Sequence, residues 1–133
     1  MKYLLMMQFS IKGWAEGNIG TWPAEDMRAN AEYLRRFNAE LAEAGELVST
    51  EGLGGPEGIR VVRALADGKP AVTDGPFPES KEFLAGYYIV DVESEDRAYE
   101  IAARLSALPG RGGKSANIPI EVRAIMDNRG GDW

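Results

Sequence analysis

GYYIVDVESEDRAYEIAARLSALPG, Gly86 to Gly110, reads as a strand delivered straight into a capped helix. Its opening residues are aromatic and β-branched, which suits a pleated surface. Ser94 offers a hydroxyl to the amides of a first helical turn, and Glu95 and Asp96 complement that turn's positive end. Behind them Ala98, Ile101, Ala102, Leu105 and Leu108 fall on one face at helical spacing. Pro109-Gly110 ends the run. One β-α unit is therefore complete, and it needs a strand on its far side.

Working outward, that strand is PIEVRAIM, Pro119 to Met126. Upstream the same plan is present once more. KYLLMMQF, Lys2 to Phe9, is a compact apolar strand. Residues 10–22 hold three glycines and two tryptophans with no period and read as a loop. Pro23, Glu25 and Asp26 then open a helix. Its apolar face is read at Met27, Ala31, Leu34, Leu41 and Ala42, and Gly45 stops it. Glu46 to Leu53 is a second strand, followed by the loop GGPEG. Ile59–Ala66 and Lys69–Asp74 form a hairpin around Asp67-Gly68.

The order is β-α-β, a hairpin, then β-α-β. That is an α+β, ferredoxin-like β-α-β-β-α-β arrangement with an added hairpin strand. A single domain over residues 1–126 and a C-terminal tail over 127–133 are expected. Two helices cover one face of an antiparallel sheet. The strands are too apolar to leave the other face wet, and the simplest cover is a second copy in a two-fold homodimer.

Composition narrows the chemistry. The chain of 133 residues is 44% hydrophobic, enough for a core. It has no cysteine and no histidine. Thiol catalysis, cysteine-bound zinc and a Ser-His-Asp triad are excluded, and no metal site is assigned. Net charge is −6, which argues against nucleic acid as a partner. No run approaches the ~20 apolar residues of a membrane span, and the N-terminal segment lacks the pattern of a signal peptide. The expectation is a cytoplasmic protein with no membrane partner. No cofactor motif is present: GLGGPEG follows a strand with no helix after it, so it is not a phosphate loop.

The run DGPFPESKEFLAGYYIVDV, Asp74 to Val92, resembles the signature of DGPF-type proteins, a branch of the YCII-related family. EGL at Glu51–Leu53, VVR at Val61–Arg63 and EVR at Glu121–Arg123 support the match. The resemblance implies a ferredoxin-like fold that pairs into a dimeric α/β barrel, with no settled activity. Some DGPF-type proteins are associated with extracytoplasmic-function sigma factors. The wider family includes suspected enzymes with a His-Asp pair, and one lineage resembles a dehydrochlorinase. Without a histidine that pair cannot be carried over here.

Asp74-Gly75-Pro76 suits a tight turn on its own account. The functional alternative has Asp74 ending a strand with its carboxylate in a cleft, as an acid/base. Glu79, Lys81 and Glu82 follow closely. They form either a solvated loop or a ligand rim, with Lys81 balancing an anion or pairing with Asp74. Phe77 and Phe83 bracket them as anchors or as cleft walls. Arg60 and Arg63 are three apart on a strand and face opposite ways. Arg63 matches the family's arginine and is the one expected at a ligand. Glu121 and Arg123 share a face, as an ion pair or with Arg123 gripping a carboxylate or phosphate. Trp14 and Trp22 flank AEGNIG as structural anchors or as a lid. Two readings of function stand side by side. One is a small-molecule-binding or enzyme-like protein with a cleft near Asp74. Arg63, Lys81, Glu82 and Arg123 would bind a small anionic ligand there. The other is a non-catalytic regulatory or interaction protein linked to sigma-factor-dependent transcription.

Overall fold

A computed structural model of the chain describes residues 1–17 and 19–126. Among these, strands β1 (Lys2–Ser10), β2 (Leu47–Gly52), β5 (Glu82–Asp91) and β6 (Ile120–Ala124) form one sheet in the order β2-β5-β1-β6. All its pairings are antiparallel. Helices α2 (Ala24–Glu43) and α3 (Glu95–Ser106) follow β1 and β5 and close β-α-β units with β2 and β6. With the two central strands each starting a unit, this is the ferredoxin-like arrangement. The remaining strands, β3 (Arg60–Ala64) and β4 (Pro70–Asp74), make a separate two-stranded sheet inserted between β2 and β5.

Both helices pack on one face of the sheet. Tyr3, Leu5, Tyr88, Val90 and Val92 point to that side, against Phe37 and Leu41 of α2 and Ala98, Ile101, Ala102 and Leu105 of α3. Arg104 lies over the Phe37 ring, 5.1 Å from its centroid. The α3 reading holds in detail. Ser94 Oγ accepts the Arg97 amide at 3.1 Å, and the stripe from Ala98 to Leu108 is buried.

Three local readings differ. The stripe assigned to α2 holds at Leu34 and Leu41 and fails at its other positions: Ala31 and Ala42 are exposed and Met27 is 41% exposed. Its inward positions are Asp26, Asn30, Phe37 and Leu41. The two polar residues bind the loop after α3. Asp26 Oδ2 accepts the Gly112 amide at 2.9 Å, and Asn30 Nδ2 donates to the Pro109 carbonyl at 2.9 Å. Residues 11–17, read as loop, form a short helix α1 (Ile11–Gly17). Ser10 Oγ accepts the Gly13 amide at its start, and Trp14 meets Phe83 edge-on. Strand β5 also begins earlier than the aromatic run, because Glu82 and Phe83 pair with Ser10 and Phe9 of β1. The tail 127–133 lies outside the described residues. No helix among the described residues is long and apolar enough to cross a membrane.

Candidate functional site

The face of the sheet turned away from the helices carries chemistry in rows fixed by register. Leu4 of β1 sits between Ile89 and Arg123, and Met6 sits between Tyr87 and Glu121. On the far side of β5, Ser49 lies opposite Ile89 and Glu51 opposite Tyr87. An apolar centre of Leu4, Met6, Tyr87 and Ile89 is thus flanked on the same face by Glu51 at one edge and by Glu121 and Arg123 at the other. Alternation puts Glu121 and Arg123 together. Among the described residues neither enters an ion pair, and neither does Glu51.

The second feature is the β3–β4 arm. Register sets Arg60 opposite Asp74, Val62 opposite Val72, and Arg63 opposite Ala71. Arg60, Val62, Val72 and Asp74 therefore share one side of the arm, and Arg63 and Ala71 the other. Val62 and Val72 are exposed. The turn at its tip is held by Asp67 Oδ1, which accepts the Lys69 amide, and by Gly68, whose φ of 85° lies in the left-handed region. At its base the Gly75 amide donates to the Ile59 carbonyl at 2.9 Å, and a Cβ on Gly75 would stand 2.7 Å from Ile59 Cγ2. That close approach requires a glycine where the arm meets the next turn.

Asp74 ends β4 with its side chain 93% exposed, and its carboxylate lies 3.5 Å from Arg60 Nε. Arg60 also donates to the Glu57 and Ile59 carbonyls. The cation beside Asp74 is thus Arg60, which the sequence reading set aside in favour of Arg63, and not Lys81. Their opposition across the arm was legible: Arg60 and Asp74 bracket a hairpin of known centre. Lys81 is exposed, and its carbonyl accepts the Ile11 amide at 2.9 Å, tying the turn to α1. Glu82 is exposed as the first residue of β5. Of the two bracketing aromatics, Phe83 is buried against Phe9 and Trp14, while Phe77 is 49% exposed. Within one chain the candidates thus fall into two sets, Arg123 on the open sheet face and Asp74, Arg63, Lys81 and Glu82 on the arm and turn.

Two grooves lie elsewhere. One of about 680 Å³ runs between α3 and β6, lined by Tyr99, Ala102, Ser106, Ile118 and Val122. Another of about 580 Å³ holds Glu46, Asp91, Glu93 and Arg97. In the latter, Arg97 grips Glu46 through two hydrogen bonds of 2.9 and 2.8 Å. That grip lowers the Glu46 carboxyl below its ordinary value and raises the Arg97 guanidinium. The pair ties α3 to the start of β2 and is structural. Among the described residues no group of three acidic side chains is placed to hold a metal ion.

Comparison with known proteins gives two matches. The family model described as YCII-related domain matches residues 1–116. An uncharacterized protein of Rhizobium meliloti (strain 1021) is 34% identical over 91 residues, which cover 68% of this chain and 73% of the relative.

Proposed function

This chain belongs to the YCII-related domain family, and we propose that it acts as a homodimer whose facing sheets enclose a cleft for a small anionic molecule. One observation carries the reading. An apolar sheet face, Leu4, Met6, Tyr87 and Ile89, lies half-buried on the side turned away from both helices and bears Arg123, which enters no ion pair among the described residues, in the same rows. The apolar surface that remains exposed gains from further burial, and a guanidinium beside it binds carboxylate or phosphate bidentately. A second copy supplies the missing wall. Arg123 is the anchor for the anion. Arg63, Lys81 and Glu82 are rim groups contributed by the arm and turn. The run from Asp74 to Val92 supports placement in the DGPF-type branch.

Asp74 is the acid/base candidate of this cleft. Its exposure in a single chain means that the role depends on the second copy to desolvate it. A non-catalytic, ligand-sensing role for the same cleft is favoured by the sequence itself: with no histidine and no cysteine, the usual bases and nucleophiles near neutral pH are missing.

Thermal unfolding with a panel of small carboxylates and inorganic phosphate tests the proposal. A ligand at ~100 times its Kd adds about 2.7 kcal/mol to stability, which raises Tm by on the order of 10 °C. Arg123→Gln abolishes the rise. Asp74→Asn leaves it intact if Asp74 serves chemistry and not affinity. A panel without effect, or a rise that survives Arg123→Gln, contradicts the anion site.

A further inference from the structure

We infer that residues 127–133 add a fifth strand to the main sheet. The chain turns at Asp127-Asn128 and runs back along β6, which seats Trp133 in the groove beside α3 and sets Asp132 against Arg123. Three features of the described residues lead to this one register.

The first is the edge itself. β6 pairs with β1 and, among the described residues, with no strand on its other side. An open edge is a template for unwanted pairing, and covering it is a common remedy. The Ile125 amide donates to the Lys2 carbonyl, so the odd-numbered Glu121, Arg123 and Ile125 aim their backbone groups at β1. Val122 and Ala124 aim theirs outward. In a hairpin with a two-residue turn, the residues flanking the turn form a hydrogen-bonded pair, and so does every second pair after them. The flanking residue on the β6 side must therefore be even-numbered. Asp127-Asn128 meets that condition. Met126 then pairs with Arg129, Ala124 with Gly131 and Val122 with Trp133. Asp and Asn also tolerate the positive φ of such turns. A turn one residue earlier or later calls on backbone groups already given to β1.

The second is the groove. Val122 lines the groove of about 680 Å³ together with Tyr99, Ala102, Ile118 and Ile120. Directly opposed residues share a face, so Trp133 opposite Val122 projects to the helix side and into that groove. Gly130 and Gly131 carry no side chain, which leaves the indole as the apolar group of the returning strand. Tyr99, 49% exposed at the groove wall, supplies it with an aromatic partner.

The third is charge. The same register sets Asp132 opposite Arg123, which enters no ion pair among the described residues. A turn moved by two residues, to Arg129-Gly130, keeps the backbone parity. It places Asp132 against Asp127, a like-charge pair, and Trp133 against Met126, which is not among the residues lining the groove. Backbone parity, apolar fit and charge thus agree only on the turn at Asp127-Asn128. For the anion cleft proposed above, on which this consequence alone rests, Asp132 is a resident carboxylate at Arg123 that an incoming anion displaces.

Amide hydrogen exchange, followed by NMR on the whole chain, tests the strand without any ligand. The expected result is protection at Val122 and Ala124 as well as at Glu121 and Arg123. Trp133→Ser and Asp132→Lys each speed exchange at Val122 and Ala124 at least tenfold and leave the amides bonded to β1 unchanged. Arg123→Asp combined with Asp132→Lys restores part of the protection. Unprotected Val122 and Ala124 in the wild type overturn the strand. So does protection that neither substitution alters, and so does protection that rises with protein concentration, which puts a second copy on the edge. Titration with inorganic phosphate reads the cleft separately. Asp132→Asn tightens the phosphate Kd several-fold, and an unchanged Kd overturns the competition at Arg123. Phosphate that binds neither protein counts against the cleft, while the exchange pattern still decides the strand.

Discussion

Asp26 and Asn30 show why a residue's role escapes a local reading. Helical spacing alone favours the apolar Met27, Ala31, Leu34, Leu41 and Ala42, of which Leu34 and Leu41 do face the core. The inward face also takes two polar residues whose partners, Gly112 and Pro109, lie about eighty residues further on. Removing the Asp26 carboxylate leaves the Gly112 amide without its acceptor in a part-buried setting. Asp26→Ala is therefore expected to cost about 1–3 kcal/mol in urea unfolding, whereas Met27→Gln changes stability by less than about 0.5 kcal/mol. Glu46 supplies a pH signature. Its carboxyl is lowered from an ordinary 4.5 by the hydrogen bonds from Arg97. A lowered folded value means stability that is present above the unfolded value and lost as pH falls through the folded one. Glu46→Gln accordingly destabilises by about 1 kcal/mol at pH 7, and the difference from wild type shrinks as pH falls below the ordinary carboxyl value. A difference that does not change as the pH is lowered removes the ion pair as its cause. Asp74 belongs to the same scale. Its position at the hairpin end was legible from the Asp-Gly-Pro chemistry, and its partner Arg60 from counting back across the Asp67-Gly68 centre.

Elements announced themselves in proportion to how much apolar surface they bury. Helix α3 was legible from cap to stop because Ser94, the acidic first turn and a full stripe agree with one another. Ser94→Ala should cost about 1 kcal/mol and Leu105→Ala about 2–5 kcal/mol, both read from chemical denaturation. Helix α1 gave no such pattern. It buries no residue of its own and is held by the Ser10 cap and by Trp14 against Phe83. The start of β5 was hidden for a related reason: Glu82 is a poor strand former, and it is extended because β1 continues opposite it to Ser10. The hairpin was legible from Asp67-Gly68, yet nothing in its pattern says that it stands apart from the main sheet.

At the scale of the molecule, one face of the sheet is closed by α2 and α3 and the other is open. The fold was readable because two β-α-β units of helical and strand period admit few topologies. The candidate site was readable only as residue types. A single chain separates Arg123 from Asp74, Arg63, Lys81 and Glu82, and a cleft that uses both sets needs two chains. The central claim is that the open face of Leu4, Met6, Tyr87 and Ile89 is covered by a second copy. Sedimentation equilibrium at micromolar concentration tests it most directly. The expected mass is twice the 14.5 kDa of the chain, falling towards a single chain when Met6→Glu and Ile89→Glu charge the face. A wild-type mass of one chain across the micromolar range contradicts it.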